Sequence, residues 1–263
     1  MATHTAPILE RILQYRRDAI EDLKRRQTDR AIAAAIGRAP TPRDFRAALI
    51  KPEVALIAEC KERSPSAGTL QTPYDPAAIA ERYAANGASA ISVLTEPEFF
   101  GGSVLHLKEV RACVGLPVLC KDFVIDPIQL RTARAAGADA ILLIVSILTD
   151  DQLSSLYALT RELGMTALVE VHNKSELRRA LALDGAVIGI NNRDLATMTT
   201  DRGTTARLRP LIPSERVVVS ESGIGTRADI EELRAVGVNA VLIGEALLRA
   251  RDLDAKVREL SAT

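Results

Sequence analysis

Charged residues recur directly after short apolar runs along this chain. Val54-Ala-Leu-Ile-Ala leads into Glu59-Cys-Lys61, Pro117-Val-Leu-Cys into Lys121-Asp122, and Leu168-Val into Glu170-Val-His172. Ile188-Gly-Ile190 leads into Asn191-Asn-Arg193, and Val217-Val-Val-Ser220 into Glu221-Ser222-Gly223. Side chains of an extended strand alternate faces, so Glu59 and Lys61 share a face with Ile57, and Asn191 shares one with Arg193. Any one of these charges could be a solvated loop charge or half of a structural ion pair. Five apolar runs ending the same way argue for one shared site. Three carboxylates, Glu59, Glu170 and Glu221, can balance three cations, Lys61, Lys121 and Arg193. Such a cluster pushes pKa values apart and yields an acid and a base in one place.

A second group is small rather than charged. Ser220-Glu-Ser222-Gly223-Ile-Gly225 and Leu242-Ile-Gly244-Glu245 end the last two apolar runs. Glycines there let backbone amides approach an anion. The pair reads either as a phosphate cradle or as two tight turns. Ser64-Pro65-Ser66-Ala-Gly68, just after Lys61, reads as a mobile loop able to close over a ligand. His106 falls within a helical stretch and His172 has no ligand partner nearby in sequence, so neither is expected in the chemistry. Met1, Met165 and Met198 read as gap fillers.

The elements that position these residues follow from a spacing. Gly87, Gly137, Gly185 and Gly237 recur roughly every 50 residues, each just before an apolar run. Glycine is the natural helix stop because it accepts the left-handed conformation. Each turn therefore reads as helix end, glycine, strand start. Strands are expected at 54–60, 90–94, 117–121, 139–145, 166–171, 186–190, 216–220 and 240–243. Helix starts are signalled between them by Asp75-Pro76, Asp126-Pro127, Thr149, Asn173 and Thr226. Alternating strand and helix patterns imply a parallel sheet. The chain of 263 residues suits one α/β domain, a (β/α)8 TIM barrel of about 250 residues. In that fold, strand C-terminal ends carry the chemistry and the loops after strands seven and eight commonly hold phosphate. An open doubly wound sheet is the alternative, although its G-x-G-x-x-G fingerprint is absent. Residues 1–45 precede the first strand, and Ile8, Ile12, Leu13, Ile20 and Leu23 lie on an amphipathic pattern. This segment reads as a helical extension, either simply docked on the barrel or covering its active-site mouth.

Composition excludes several classes of partner. Lys plus Arg is 34 and Asp plus Glu is 34, which gives no long-range pull toward nucleic acid or acidic membranes. No apolar run approaches the ~18 residues of a membrane span, and the first residues lack a basic apolar signal. Cys60, Cys113 and Cys120 have no metal-ligand spacing and read as small buried residues in a reducing, cytoplasmic compartment. Apolar residues make up 47%, Trp is absent and aromatics are only 3%. The core must therefore be aliphatic, as suits strands buried on both faces.

Taken together these segments resemble indole-3-glycerol phosphate synthase over nearly the whole chain. The resemblance rests on Glu59-Cys-Lys61-Glu-Arg-Ser64-Pro-Ser66, Ile91-Ser-Val-Leu-Thr-Glu96, Lys121-Asp-Phe123 with Asp126-Pro, Leu168-Val-Glu170-Val, Ile190-Asn191-Asn-Arg193-Asp-Leu195 and Ser220-Glu221-Ser222-Gly223-Ile224. It implies ring closure, decarboxylation and dehydration of 1-(2-carboxyphenylamino)-1-deoxyribulose 5-phosphate, with no metal or organic cofactor; a monomer is expected separately, since the sequence carries no signal of oligomeric state. It implies Lys121 as general acid, Glu170 as general base, and Lys61 as a second acid that also pairs with the substrate carboxylate. Glu59 and Asn191 would orient the substrate, with Ser64, Arg193 and Glu221 as supporting polar groups. Ser222, Gly223 and Gly244 would hold the phosphate. Glu245 departs from the pattern: many members carry Ser there, and a carboxylate would repel phosphate. The rivals are another phosphate-binding barrel, such as a phosphoribosylanthranilate isomerase, a Schiff-base aldolase using Lys121, and a silent binding barrel.

Overall fold

The computed structural model describes residues 8–65, 67–195 and 197–261. Eight parallel strands close into a barrel: β1 (Ala55–Cys60), β2 (Ala90–Leu94), β3 (Val118–Lys121), β4 (Ala140–Ile144), β5 (Thr166–Val171), β6 (Val187–Asn191), β7 (Val218–Glu221) and β8 (Ala240–Ile243). Each strand pairs with its sequence neighbours, and β8 closes on β1 with Ala55 opposite Ala240. The expected strands agree with these to within two residues, and the open-sheet alternative is excluded.

Helices run between the strands: α4 (Pro76–Ala85) and the one-turn α5 (Pro97–Phe100) flank β2, and α6 (Val104–Cys113) leads to β3. Then come α7 (Pro127–Ala135), α8 (Asp150–Glu162), α9 (Lys174–Leu181), α10 (Gly203–Leu208), α11 (Arg227–Ala235), α12 (Glu245–Leu248) and α13 (Leu253–Ser261). The caps expected from sequence are the caps used: Asp75, Asp126, Thr149, Asn173 and Thr226 each accept a backbone N–H of the first turn. Gly87, Gly137, Gly185 and Gly237 all have positive φ, between 80° and 104°, which a residue with a Cβ adopts only with strain.

Strand alternation divides the core in two. Leu56, Ala58, Cys60, Ile91, Val93, Ile141, Leu143, Val169 and Ile188 face outward onto the helices. Ala55, Ile57, Ala90, Leu119, Leu142, Leu168, Val187, Val219, Ala240 and Leu242 fill the barrel interior. Polarity changes along the barrel axis, because Glu59, Lys121, Glu170, Asn191 and Glu221 occupy the C-terminal ends of the same strands.

The segment before β1 does two different things. Helix α1 (Ile8–Arg26) lies against the loops after β2 and β3. Arg16 pairs with Asp122 at 3.1 Å and Lys24 with Asp126 at 2.7 Å, while the Tyr15 and Phe99 rings meet edge to face, 6.3 Å apart. After α2 (Asp29–Arg38) the chain crosses to the opposite end. There Phe45 of α3 (Phe45–Ala48) and Leu49, both 0% exposed, plug the bottom of the barrel. Residue 45 is therefore not the edge of a detachable extension. Deleting a buried Phe side chain costs about 3–5 kcal/mol.

Candidate active site

The C-terminal ends of the strands surround an open-topped cavity. Glu59 and Lys61 reach it from β1, Lys121 from β3, Glu170 from β5, Asn191 and Arg193 from β6, Glu221, Ser222 and Gly223 from β7, and Gly244 and Glu245 from β8. Ser64 lines it too. All twelve candidate residues of the sequence thus share one cavity. The rest of its lining is largely apolar, with Leu94, Phe100, Phe123 and Ile144 at the ends of β2, β3 and β4 and Leu195 and Met198 after β6. Phe100 and Phe123 hold their ring centroids 6.0 Å apart. A flat aromatic group fits against such a wall. Met198, taken as a gap filler, belongs to this lining and sits at φ 60°.

The charges do not pair one to one as their numbers suggested. Both lysines converge on Glu59: Lys61 Nζ donates to its Oε1 at 2.6 Å and Lys121 Nζ lies 3.5 Å from its Oε2. Glu59 is only 3% exposed. Burial alone would raise its pKa, but the two ammonium groups outweigh that and hold it down to about 2. Lys121 is half-buried, which favours the neutral amine. The carboxylates of Glu59, Glu221 and Glu170 nevertheless keep its pKa above the ordinary lysine range. Among the described residues its one ion pair is with Glu59. Glu170 lies farther off across the cavity and stays ionised despite burial, through His172, Lys121 and Asn191.

Glu221 behaves in the opposite way. It is 1% exposed, and neither carboxylate oxygen has a hydrogen-bond partner among the described residues. Burial and then the negative charge of Glu170 push its pKa up to about 8. The room it occupies exists because position 189 is glycine: a Cβ on Gly189 would stand 2.5 Å from Glu221 Oε1. That requirement connects two strands and carries no signal in sequence.

The β7 and β8 turns carry the small residues. Ser222 and Gly223 both have positive φ, 66° and 75°, so their loop curls back over the mouth. Asn192 fixes it from beneath, its Nδ2 donating to Ser222 O at 3.0 Å and Ser220 Oγ at 3.2 Å while its Oδ1 accepts from Thr205 N and Oγ1. Asn192 was missed because its partners lie far along the chain. Gly244 proves necessary for a reason other than phosphate approach. A Cβ there would come within 2.5 Å of Glu59 Oε1, so glycine makes room for the carboxylate between the lysines. Glu245 opens α12 and is held by Arg249 at 3.0 Å and by Arg193 at 3.9 Å. The loop after β1, expected as a mobile flap, contains a short hairpin pairing Arg63–Ser64 with Gly68–Thr69. Gln71 Nε2 bonds Leu248 O at 2.9 Å and an Arg249 guanidinium nitrogen bonds Ala67 O at 3.3 Å, tying this loop to the β8 side. Ser66 lies outside the described residues.

Residues 9–260 match the sequence profile of the family described as Indole-3-glycerol phosphate synthase. The chain belongs to that family. Proteins bearing the family's name are close over almost their whole length. The one from Roseiflexus sp. (strain RS-1) is 52% identical over 262 residues, covering 96% of this chain and 97% of that protein. The one from Desulforamulus reducens is 47% identical over 255 residues, covering 96% of each. Among solved structures, 3-hexulose-6-phosphate synthase from Salmonella typhimurium superposes with a TM-score of 0.65 at 15% identity, covering 79% of this chain and 97% of that one. That likeness speaks for the barrel fold alone.

Two histidines separate in this setting. His106 packs edge-on against Tyr74, 5.3 Å between centroids, on the outside of the barrel. His172 was set aside for want of a partner, yet it stands between two carboxylates. Its Nε2 lies 3.3 Å from Glu170 Oε1 and its Nδ1 3.0 Å from Glu176 Oε2. The signal was present in the sequence: His172 and Glu176 flank the cap Asn173, where the helical turn folds residue 176 back toward the strand end. Cys60 and Cys120 are buried, Cys113 is half-buried and all three are free. Burial raises all three thiol pKa values, so they remain inert small side chains.

Proposed function

We propose that the chain converts 1-(2-carboxyphenylamino)-1-deoxyribulose 5-phosphate to indole-3-glycerol phosphate, carbon dioxide and water, as its family membership implies. The observation that carries this reading is the division of the mouth into three parts: two lysines gripping one glutamate, a separate ionised glutamate across the cavity, and an apolar wall beside both. Ring closure needs a proton donor at the ketone oxygen while the aromatic carbon attacks, and Lys121, held protonated by its neighbours, is that donor. Dehydration needs a base for the ring proton, and Glu170 is ionised and free of Lys121 to act as one. Lys61 faces the substrate carboxylate and gives the second proton, to the departing hydroxyl. Glu59 fixes both lysines, while Asn191, Ser64 and Glu221 orient the substrate. Ser222, Gly223 and Gly244 line the phosphate end, with Arg193 supplying positive charge beside them. Phosphate held far from the reacting carbons provides binding energy for bending the substrate.

Residues 1–38 serve activity on this reading, since α1 packs behind Phe100 and Phe123 of the cavity wall. No helix among the described residues is long and apolar enough to cross a membrane. The free thiols support a reducing, cytoplasmic setting, and a monomer suffices because every site residue comes from one chain. The test is direct. Incubation with the carboxyphenylamino-deoxyribulose phosphate should generate indole fluorescence in step with carbon dioxide release. Substrate bound without turnover would make the chain a binding barrel, and trapping of Lys121 by borohydride would make it an aldolase.

A further inference from the structure

We propose that His172 is a positioning residue for Glu170: as an imidazolium clamped between Glu170 and Glu176, it holds that carboxylate ionised and aimed into the cavity. The proposal rests on the reading of Glu170 as the base and adds what makes it one. Glu170 is 1% exposed, and burying an anion is costly unless a cation or several donors meet it. Lys121, the nearest lysine, spends its ion pair on Glu59 at 3.5 Å. The cation nearest Glu170 is His172, whose Nε2 lies 3.3 Å from Oε1; neither atom completes a hydrogen bond among the described residues, so the contact is one of charge. His172 does not line the cavity, whereas Glu170 does, so the ring reaches substrate only through the carboxylate.

The second carboxylate fixes the ring. Glu176 Oε2 accepts from the backbone N–H of His172 at 2.8 Å and lies 3.0 Å from its Nδ1. Its Oε1 accepts from Asn173 Nδ2, and Asn173 in turn caps α9. The first turn of a helix thus sets the angle of an imidazole that faces the base on the preceding strand. Burial works against the charge on His172, but the two carboxylates outweigh it and raise its pKa to about 10. Other charged groups around the pair point elsewhere: Arg179 on α9 turns to Asp150 and the carbonyls of Val145 and Leu148. On the cavity side Glu170 faces Lys121, Asn191 and Glu221. Without the imidazolium, Glu170 would keep only Lys121 and Asn191 against its burial, and its proton would be held to higher pH.

His172→Asn keeps size and polarity but removes the charge. In that variant the acid limb of the kcat–pH profile should move upward by about one unit or more, a loss of about tenfold in rate below the limb, with KM little changed and activity recovering as pH rises. Glu176→Gln should move the limb in the same direction by less. An acid limb unmoved in His172→Asn, whatever the fall in kcat, would overturn the proposal, because a purely structural role lowers rate without shifting titration. A second measurement does not depend on turnover. The His172 ring resonance, assigned by its loss in His172→Asn, should titrate well above an ordinary histidine in the parent and move down in Glu170→Gln. An ordinary titration in the parent also overturns the proposal. Should Glu170→Gln stay fully active while the ring titrates high, the clamp stands and only the assignment of Glu170 as base fails.

Discussion

The two ends of the barrel each bury a carboxylate almost completely, and they treat it in opposite ways. At the bottom, Asp139 is 0% exposed. It accepts from Arg43 N at 2.7 Å, Val118 N at 2.8 Å and Arg111 Nε at 3.1 Å. Arg111 and Arg134 also bond the carbonyls of Thr41 and Pro40, so Asp139 is the centre of a knot tying the incoming chain to β3 and β4. At the top, Glu221 is equally buried but has no hydrogen-bond partner among the described residues and faces other carboxylates. Buried polar groups normally find partners, so the satisfied carboxylate is the kind that holds a fold together. The unsatisfied one marks the end where perturbed titrating groups are gathered for chemistry.

The largest expected difference between the ends is catalytic. Lys121→Met should lower turnover by about 10²–10⁴-fold while leaving the melting temperature near that of the parent. A loss below tenfold would remove Lys121 from the chemistry. At the other end, Asp139→Ala strands Arg111 and two backbone amides. It should cost about 3–5 kcal/mol in denaturant unfolding and leave kcat intact wherever the variant is folded. A variant that is inactive though fully folded would abolish the distinction between the ends.

Truncation sharpens the same contrast along the chain. Removing residues 1–38 should leave a folded barrel with reduced activity, because α1 buttresses the cavity wall but not the floor. Cutting at residue 45 removes Arg43 and the carbonyls of Pro40 and Thr41, and should lower stability sharply. Equal melting temperatures for the two truncations would contradict the bottom knot.

Glu221→Gln probes the unsatisfied carboxylate itself. With its pKa raised to about 8 from 4.5, the folded state keeps a proton between those values that the unfolded state releases. Stability from this group is therefore present below the unfolded pKa and falls as pH rises through the window, by up to about 1.4 kcal/mol per pH unit. Glutamine should flatten that decline in thermal unfolding between about pH 5 and 8, while impairing turnover. The smallest effect is expected at Glu245, half-exposed and already neutralised by Arg249. Glu245→Ser should lower the KM for the phosphorylated substrate about fivefold or less, the worth of an exposed charge. An unchanged KM would mean that the side chain does not sense the phosphate.

The sequence alone determined the barrel, its strand ends and the membership of the cavity. Two local rules suffice for that: side chains alternate along a strand, and a helix that must stop uses glycine in the left-handed conformation. They place Glu59, Lys121, Glu170 and Glu221 at one end without any knowledge of distance. What the tertiary structure decided is how those groups meet. That both lysines turn to Glu59, that Gly189 and Gly244 are empty so that Glu221 and Glu59 can be full, and that Asn192 props the β7 turn all depend on contacts between strands. Barrel closure sets those contacts, and strand spacing and register are not written in any one segment. His172 lies between the two cases, its partners being only two and four residues away. The turn from strand into helix bends the chain there, so neighbours in sequence become an ion triad only once the cap at Asn173 has formed.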